Sequence, residues 1–267
     1  MKFYNNTNSL LNSGATLDSL GDYMLKKKEA FARYDLVVHV TGRDLISIYG
    51  DGTVSHGTSG RAYTGMVCNP EYKVAIVEDT PQTYDGVQNF AHEVGHLMGC
   101  VHDGSWPVSY IPNHPGARDC PASAYMVMTP HSTLENVDKF SYCCGQQVSV
   151  VYHLFAFSLP TRECLRNETT KQVSYSLCLP GDALGSADQF CKLKYPAYNR
   201  TAINAPFIGE LSDCVIACLL REDDNSVYLF NSPDGVPCEQ GTNKISQCGS
   251  EQHKTIADSR SNMEESF

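Results

Sequence analysis

His92-Glu93-Val94-Gly95-His96-Leu97-Met98-Gly99-Cys100-Val101-His102-Asp103-Gly104 is the stretch on which the reading of this chain turns. It places three imidazoles and one carboxylate at the spacing that a hydrolytic metal site needs. The specified positions are His92, Glu93, His96, Gly99 and His102. At about one in twenty each, chance supplies on the order of 10⁻⁴ such matches in a chain of this length. His92 and His96 lie one helical turn apart, so a helix puts them on one face with Cβ atoms roughly 5–6 Å apart. Val87, Phe90, Ala91, Val94, Leu97 and Met98 recur at steps of three and four, an apolar stripe that predicts such a helix and its burial. Gly99 then stops it, as a glycine just past the last apolar position does. The chain reversal brings His102 back toward the other two histidines. Three neutral nitrogen ligands, His92, His96 and His102, leave an open fourth position on Zn²⁺, the arrangement of a catalytic rather than a structural site.

Glu93, beside the first ligand, is expected to act as general base toward a Zn-bound water, whose pKa the metal lowers to about 7. It would then return the proton to the leaving amine. The remaining histidines, His39, His56, His114, His131, His153 and His253, match no ligand spacing and read as surface or satisfied core residues.

The long form of the motif resembles the metzincins. Asp103 directly after the third histidine resembles the adamalysin or reprolysin branch, peptidase M12B. That family carries a methionine turn beneath the metal, and Tyr125-Met126-Val127-Met128-Thr129-Pro130 is similar to it. Met128 matches better than Met126, because Pro130 follows two residues later. Upstream, the stretch from Thr58 to Cys68 resembles the family's edge strand, along which an extended substrate pairs antiparallel through backbone hydrogen bonds. The resemblance assigns Thr58, Gly60, Ala62 and Gly65 to that edge. Within the branch the chain resembles secreted salivary metalloproteases of ticks, over roughly residues 30–250. The resemblance further implies a Cys68–Cys164 disulfide, and pairing of Cys100 and Cys120 with Cys143 and Cys144 in either combination. It also implies a calcium site at Asp35, the Cys164 carbonyl and Asn167, where oxygen ligands suit Ca²⁺.

The chain has 267 residues, room for one or two domains, and a net charge of −10. That charge excludes phosphate-backbone binding, so no nucleic-acid partner is expected. No apolar run approaches a membrane span; Val148 to Leu159, the longest, reads as a buried helix. Twelve cysteines point to an oxidising, extracellular compartment. Cys68, Cys100, Cys120, Cys143, Cys144 and Cys164 fall in the first part, and Cys178, Cys191, Cys214, Cys218, Cys238 and Cys248 in the second. Asn5, Asn167 and Asn199 begin glycosylation sequons. Met1-Lys2-Phe3 is followed by a polar stretch without an apolar core, so the chain reads as a fragment lacking a signal peptide and the first strand or two.

Along the chain, residues 1–14 read as frayed, Leu17 to Arg33 as a helix, Tyr34 to Thr41 as a buried strand and Lys73 to Val77 as another. Residues 103–135 read as loop, and Phe140 to Phe157 as containing a final helix. The expected fold is α/β (α+β), a metzincin-type zinc protease domain over residues 1–170 with a mixed, mostly parallel sheet and an active-site helix. A small disulfide-rich module is expected over 175–250, and a disordered tail over 251–267. Leu179-Pro180-Gly181, Asp188-Gln189-Phe190-Cys191 and Asp234-Gly235-Val236-Pro237-Cys238 resemble the cysteine-rich module of secreted disintegrin and thrombospondin-repeat metalloproteases, which docks substrates.

The expected function is that of a secreted zinc metalloendopeptidase acting on extracellular proteins, with matrix and clotting proteins implied by the resemblance. The pocket around Thr129 to Thr133 would set the side chain accepted after the cut. The alternative is a non-catalytic adhesive protein acting through its cysteine-rich module. No Arg-Gly-Asp is present, and Gly42-Arg43-Asp44 is not that motif. Oligomeric state is not readable from the sequence.

Overall fold

A computed structural model of the chain describes residues 10–81, 83–84, 86–130, 139–157, 164–165, 184, 186–196, 200–203, 215–220 and 227–233. The chain divides into two compact units, residues 1–167 and 168–267. Asn5, Asn167 and Asn199, four of the cysteines (Cys178, Cys214, Cys238 and Cys248), Thr133, the 234–238 element and the 251–267 tail lie outside the described residues.

The first unit is a mixed α/β layer structure. Val74–Glu78 forms its central strand, and Val74, Ala75, Ile76 and Val77 are all buried. A continuous apolar run of this kind belongs to a strand covered on both faces. In chain order the elements are β1 (Leu10–Asn12), α1 (Ser13–Lys26), α2 (Lys28–Phe31), β2 (Val37–Thr41), β3 (Asp44–Ile48), β4 (Val54–Ser55), β5 (Gly60–Ala62), β6 (Val74–Glu78), α3 (Gly86–Leu97) and α4 (Tyr142–Phe157). One sheet has the order β2-β6-β5, with β2 parallel and β5 antiparallel to β6. The other has the order β1-β3-β4, with β1 parallel and β4 antiparallel to β3. Among the described residues of this unit, parallel and antiparallel pairings are therefore equal in number, two of each, rather than mostly parallel. β4 returns on β3 through the tight turn closed by Gly52 N–H to Tyr49 O, which permits only an antiparallel partner.

Several expectations need correcting. Residues 10–12 are not frayed: they pair with β3, and Leu11 joins Leu17, Leu20, Met24, Leu45, Val74 and Ile76 in one core cluster. The helix begins at Ser13 rather than Leu17, because the Asn12 side chain accepts the Ala15 N–H at 2.9 Å and caps it. It breaks at Lys27, and the one-turn α2 follows. The buried Lys73 ammonium donates to the carbonyls of Phe31 and Tyr34, satisfying the end of that turn. β2 is only half-buried, with Val40 53% exposed, because among the described residues it has a neighbour on one side alone. α4 is buried along one face only. Cys143, Cys144, Gln147 and Val151 face inward, while Tyr142, Ser149 and Tyr152 are exposed.

Residues 103–130 are irregular apart from a 3₁₀ turn at Ala122–Ala124, as the prolines there imply. Disulfides join Cys68 to Cys164, Cys100 to Cys144 and Cys120 to Cys143. The Cys68–Cys164 bridge closes a loop of 96 residues, worth about 4–5 kcal/mol in the chain-entropy model.

The second unit contains α5 (Ala187–Lys194) and an antiparallel sheet of β7 (Arg200–Ile203), β8 (Val215–Leu220) and β9 (Val227–Asn231) in that order. Ser186 caps α5 through Gln189 N–H, and Cys191–Cys218 staples α5 to β8. Leu184, Phe190, Cys191, Ile216 and Cys218 form its core.

Asn12→Ala is expected to destabilise the first unit by about 1 kcal/mol, since it removes the side-chain partner of the Ala15 N–H in the first turn of α1. Chemical denaturation of the oxidised protein reads this directly; an unchanged midpoint would show that the cap contributes nothing.

Candidate metal centre

α3 carries His92, Glu93 and His96, and packs against β5 and β6. Its start is anchored by Gly86 N–H donating to Asp79 Oδ1 at 2.9 Å. Its end is closed from two directions. Gly99, at φ +111°, donates to His96 O, while Gly65 N–H and Val67 N–H donate to His96 O and Leu97 O. These bonds satisfy carbonyls that a helix C-terminus leaves without partners. The apolar stripe is not uniformly covered: Val87 is 64% and Phe90 42% exposed, and Leu97 is fully buried. α3 meets the sheet along one side only: Asn89 donates to Glu78 O and Glu93 lies against Gly60, while Val87 and Phe90 face away.

The segment after Gly99 is clamped. Val101 N–H donates to Gln147 Oε1 at 2.9 Å, Cys100 is bridged to Cys144, and His114 Nε2 donates to Gly99 O at 2.8 Å. These contacts return His102 to α3. His102 Nε2 lies 3.1 Å from His92 Nε2 and 3.2 Å from His96 Nε2. A tetrahedral ion with nitrogen ligands at about 2.0–2.1 Å would set them about 3.3 Å apart.

The protonation pattern fits a cation. His92 Nδ1–H donates to Val127 O at 2.7 Å, and His96 Nδ1–H donates to Cys100 O at 2.7 Å. Each bond leaves the Nε2 of that ring as a bare lone pair. A proton on His102 Nε2 could serve only one of the two, so lone pairs would otherwise abut. Burial keeps both rings neutral: it lowers the His92 pKa, and it takes His96 down to about 3 with help from the neighbouring His92 and His102. Neutral imidazole is the form that ligates. Together, His92, His96 and His102 can hold one divalent ion.

Glu93 is buried, and its Oε2 has no hydrogen-bond partner among the described residues. Burial pushes its carboxyl up to about 8, opposed by the charge of Arg61. A β-carbon on Gly60 would lie 2.5 Å from Glu93 Oε1 and 2.7 Å from its Cγ. β5 therefore reaches the carboxylate only because residue 60 has no side chain. The cleft above the histidines, of about 320 Å³, is lined by residues of the β5 strand and its approach, by α3, and by Val127, Thr129 and Pro130.

Of the residues assigned to the substrate edge, Thr58, Gly60 and Ala62 line the cleft, and β5 is the outer strand of its sheet among the described residues. Gly65 does not line it. Its N–H is taken by His96 O, and at φ +70° a β-carbon there would strike Ile111. Met128 is fully buried, and its sulfur would lie 2.6 Å from a β-carbon on Gly95. Met128 thus packs flush against α3 at Gly95, the residue before His96. Met128 O also accepts Asp103 N–H at 3.0 Å, and Asp103 Oδ1 accepts the Ser141 hydroxyl at 2.6 Å. Burial raises the Asp103 pKa, while Ser141 and His92 oppose the rise. At the expected calcium site, Asp35 Oδ1 accepts Leu165 N–H at 3.4 Å beside Cys164, and the Cys68 and Cys164 sulfurs are consumed by their disulfide. Gln147, Ser141, His114 and Arg61 escape a sequence reading, since each acts through a partner distant in the chain.

Comparison with known proteins gives a consistent picture. Residues 12–141 match a family described as Metallo-peptidase family M12, Reprolysin_5. "A disintegrin and metalloproteinase with thrombospondin motifs like" from Bombyx mori is 30% identical over 256 residues, covering 93% of this chain and 35% of that protein. "Venom metalloproteinase antarease TserMP_A" of Tityus serrulatus is 34% identical over 137 residues, covering 51% of this chain and 33% of its own length. "Venom metalloproteinase antarease-like TserMP_B" from the same organism is 35% identical over 132 residues, covering 49% and 54% respectively. The chain thus spans about a third to a half of the length of these relatives.

Two outcomes are expected at this site. Gly60→Ala displaces Glu93 without touching the histidines, so metal stoichiometry by atomic absorption stays unchanged while the stability of the metal-stripped protein falls; an unchanged Tm would show that Glu93 has room to move. In metal-stripped protein, Glu93 holds its proton to about pH 8, whereas the unfolded chain releases it near 4.5. Stability contributed by Glu93 therefore falls as pH rises through that interval. His92 and His96 act oppositely, with folded pKa values below 6.5, and cost stability as pH drops under 6.5. Between about pH 6.5 and 8 the Glu93 effect stands alone among these groups. The Tm of chelator-treated protein should fall across that window and stay flat in Glu93→Gln; parallel curves would contradict the assignment.

Proposed function

This chain belongs to the reprolysin-type M12 metallopeptidases, and from that premise we propose that it is a zinc-dependent endopeptidase acting on extracellular proteins. The observation that carries the proposal is the convergence of the His92, His96 and His102 Nε2 atoms beneath a cleft bounded by an open strand edge. Zn²⁺ held by these three residues would supply Lewis acidity toward a peptide carbonyl and acidify a bound water.

The chain's own groups account for the rest. β5 offers backbone N–H and C=O groups on its outer side, so an extended peptide docks as a further strand without its side chains being read. Glu93, buried and with a free oxygen, takes the proton of the attacking water and returns it to the leaving amine. Its raised affinity for a proton, set by burial, suits that exchange near neutral pH. The Val127 carbonyl orients His92, the Cys100 carbonyl orients His96, and Met128 supports the helix between them at Gly95. Thr129 and Pro130, on the cleft wall, border the pocket that receives the side chain after the cut.

An extracellular setting is supported by four disulfides among the described residues and by relatives named as venom metalloproteinases. Among the described residues no helix is long and apolar enough to cross a membrane. The second unit, with its stapled α5 and β8, is proposed as a cysteine-rich docking module for substrate.

Glu93→Ala is expected to lose at least about a hundredfold in cleavage of casein or gelatin while retaining one zinc per chain. Wild-type cleavage should vanish with a chelator and return with Zn²⁺. Cleavage by Glu93→Ala at the parent rate would remove Glu93 from the mechanism. A parent protein that binds zinc but cleaves nothing would leave the adhesive reading in its place.

A further inference from the structure

Arg61 lies on β5 between Gly60 and Ala62 and lines the cleft. Among the described cleft-lining residues it alone carries a fixed positive charge, in a chain whose net charge is −10. Its side chain is held: Nε donates to Ser13 Oγ at 3.2 Å and Nη2 to Ser47 Oγ at 3.3 Å. Ser47 Oγ in turn shares a hydrogen bond of 2.7 Å with Thr58 Oγ1, on the approach to the same strand. Both serines are neutral. Among the described residues no carboxylate forms a close ion pair with Arg61, although Glu93 on α3 feels its charge. A guanidinium has five N–H donors, and two are used here, which leaves part of the fork open.

An arginine that served only solubility would not be fastened by two hydroxyls at the rim of a cleft. Holding the side chain lowers the entropy lost when it meets a carboxylate, and planar bidentate pairing is what arginine does better than lysine. Strand geometry says where that carboxylate must be. The β-carbon that Gly60 lacks would point at Glu93 on α3, so Arg61, its neighbour, points to the opposite face. Ser13 at the start of α1 and Ser47 on β3 lie on that face. In an antiparallel pair, directly opposed residues project to the same side. A peptide paired with β5 therefore presents one side chain toward Arg61, on the face turned away from α3.

We infer that Arg61 is a specificity-determining residue, selecting peptides with an aspartate or glutamate at the position opposite it on β5. The inference rests on the proposed peptide-binding role of β5. Arg61 also lowers the cost of ionising Glu93, but that effect is the same for every substrate and creates no preference among them.

The test is a positional scan of N-acetylated, C-amidated peptides, bound to zinc-loaded Glu93→Gln protein and measured by fluorescence competition. At one position, replacing Asp by Asn or Glu by Gln should weaken binding about two- to fivefold at low salt, with the gap shrinking as salt is raised. Arg61→Gln, which keeps a polar group for the two serines, should close the gap, and Arg61→Lys should keep part of it. No gap at any position, a gap that survives Arg61→Gln, or no binding by any peptide overturns the inference. Preference for a free C-terminal carboxylate over an acidic side chain overturns it as well, reassigning Arg61 to a chain end. Running the same peptides with the parent enzyme separates the two readings. Cleavage without acidic preference removes only the role of Arg61, and acid-selective binding without cleavage removes only the endopeptidase.

Discussion

α3 is held between two surfaces that it can approach only where a β-carbon is missing. On one side Gly60 lets β5 touch the Glu93 carboxylate, and on the other Gly95 lets α3 rest on the Met128 sulfur. Each contact would be below 3 Å from any added β-carbon. The helix is thereby fixed in height and rotation, and with it the direction of both of its histidines. Close packing of this kind transmits small changes rather than absorbing them, so residues without functional groups of their own set the geometry of those that have them.

The third histidine depends on a different device. It lies beyond the helix on irregular chain, where precision must come from cross-links. Gln147, fully buried, donates to Cys143 O and accepts Val101 N–H, joining α4 to the return segment. The Cys100–Cys144 bridge repeats that connection covalently, and His114 secures Gly99. Asp103, beside His102, is tied to Ser141 and to Met128 O. The loop is therefore supported as firmly as a regular element, which metal ligation with a single geometry requires.

The regular elements were legible where apolar spacing is long, as in α3, α4 and β6. They were not legible where an element is short or polar. β1 is three residues, and β3 is interrupted by Asp44 and Ser47, yet both are real because they pair with each other around Leu11 and Leu45. Burial was over-read on Val87, Phe90 and the outer face of α4, since periodicity reports which face is apolar and not how much of it finds a neighbour. Gly65 read as part of the substrate edge, but its positive φ and its bond to His96 O turn it to the helix end.

From the order of residues alone one could expect three imidazoles and a carboxylate to gather, because helical pitch and a glycine stop are local properties. Asp103, Met128 and the Gly-rich strand narrowed the family, since they too occur at set distances along the chain. The partners of those groups are not local. That Val127 O takes the His92 Nδ1–H, which of Cys143 and Cys144 meets Cys100, why residue 60 must lack a side chain, and that Arg61 is held by Ser13 and Ser47 all depend on segments far apart in the chain. Such contacts follow from packing in three dimensions, and no spacing rule along one strand or helix encodes them.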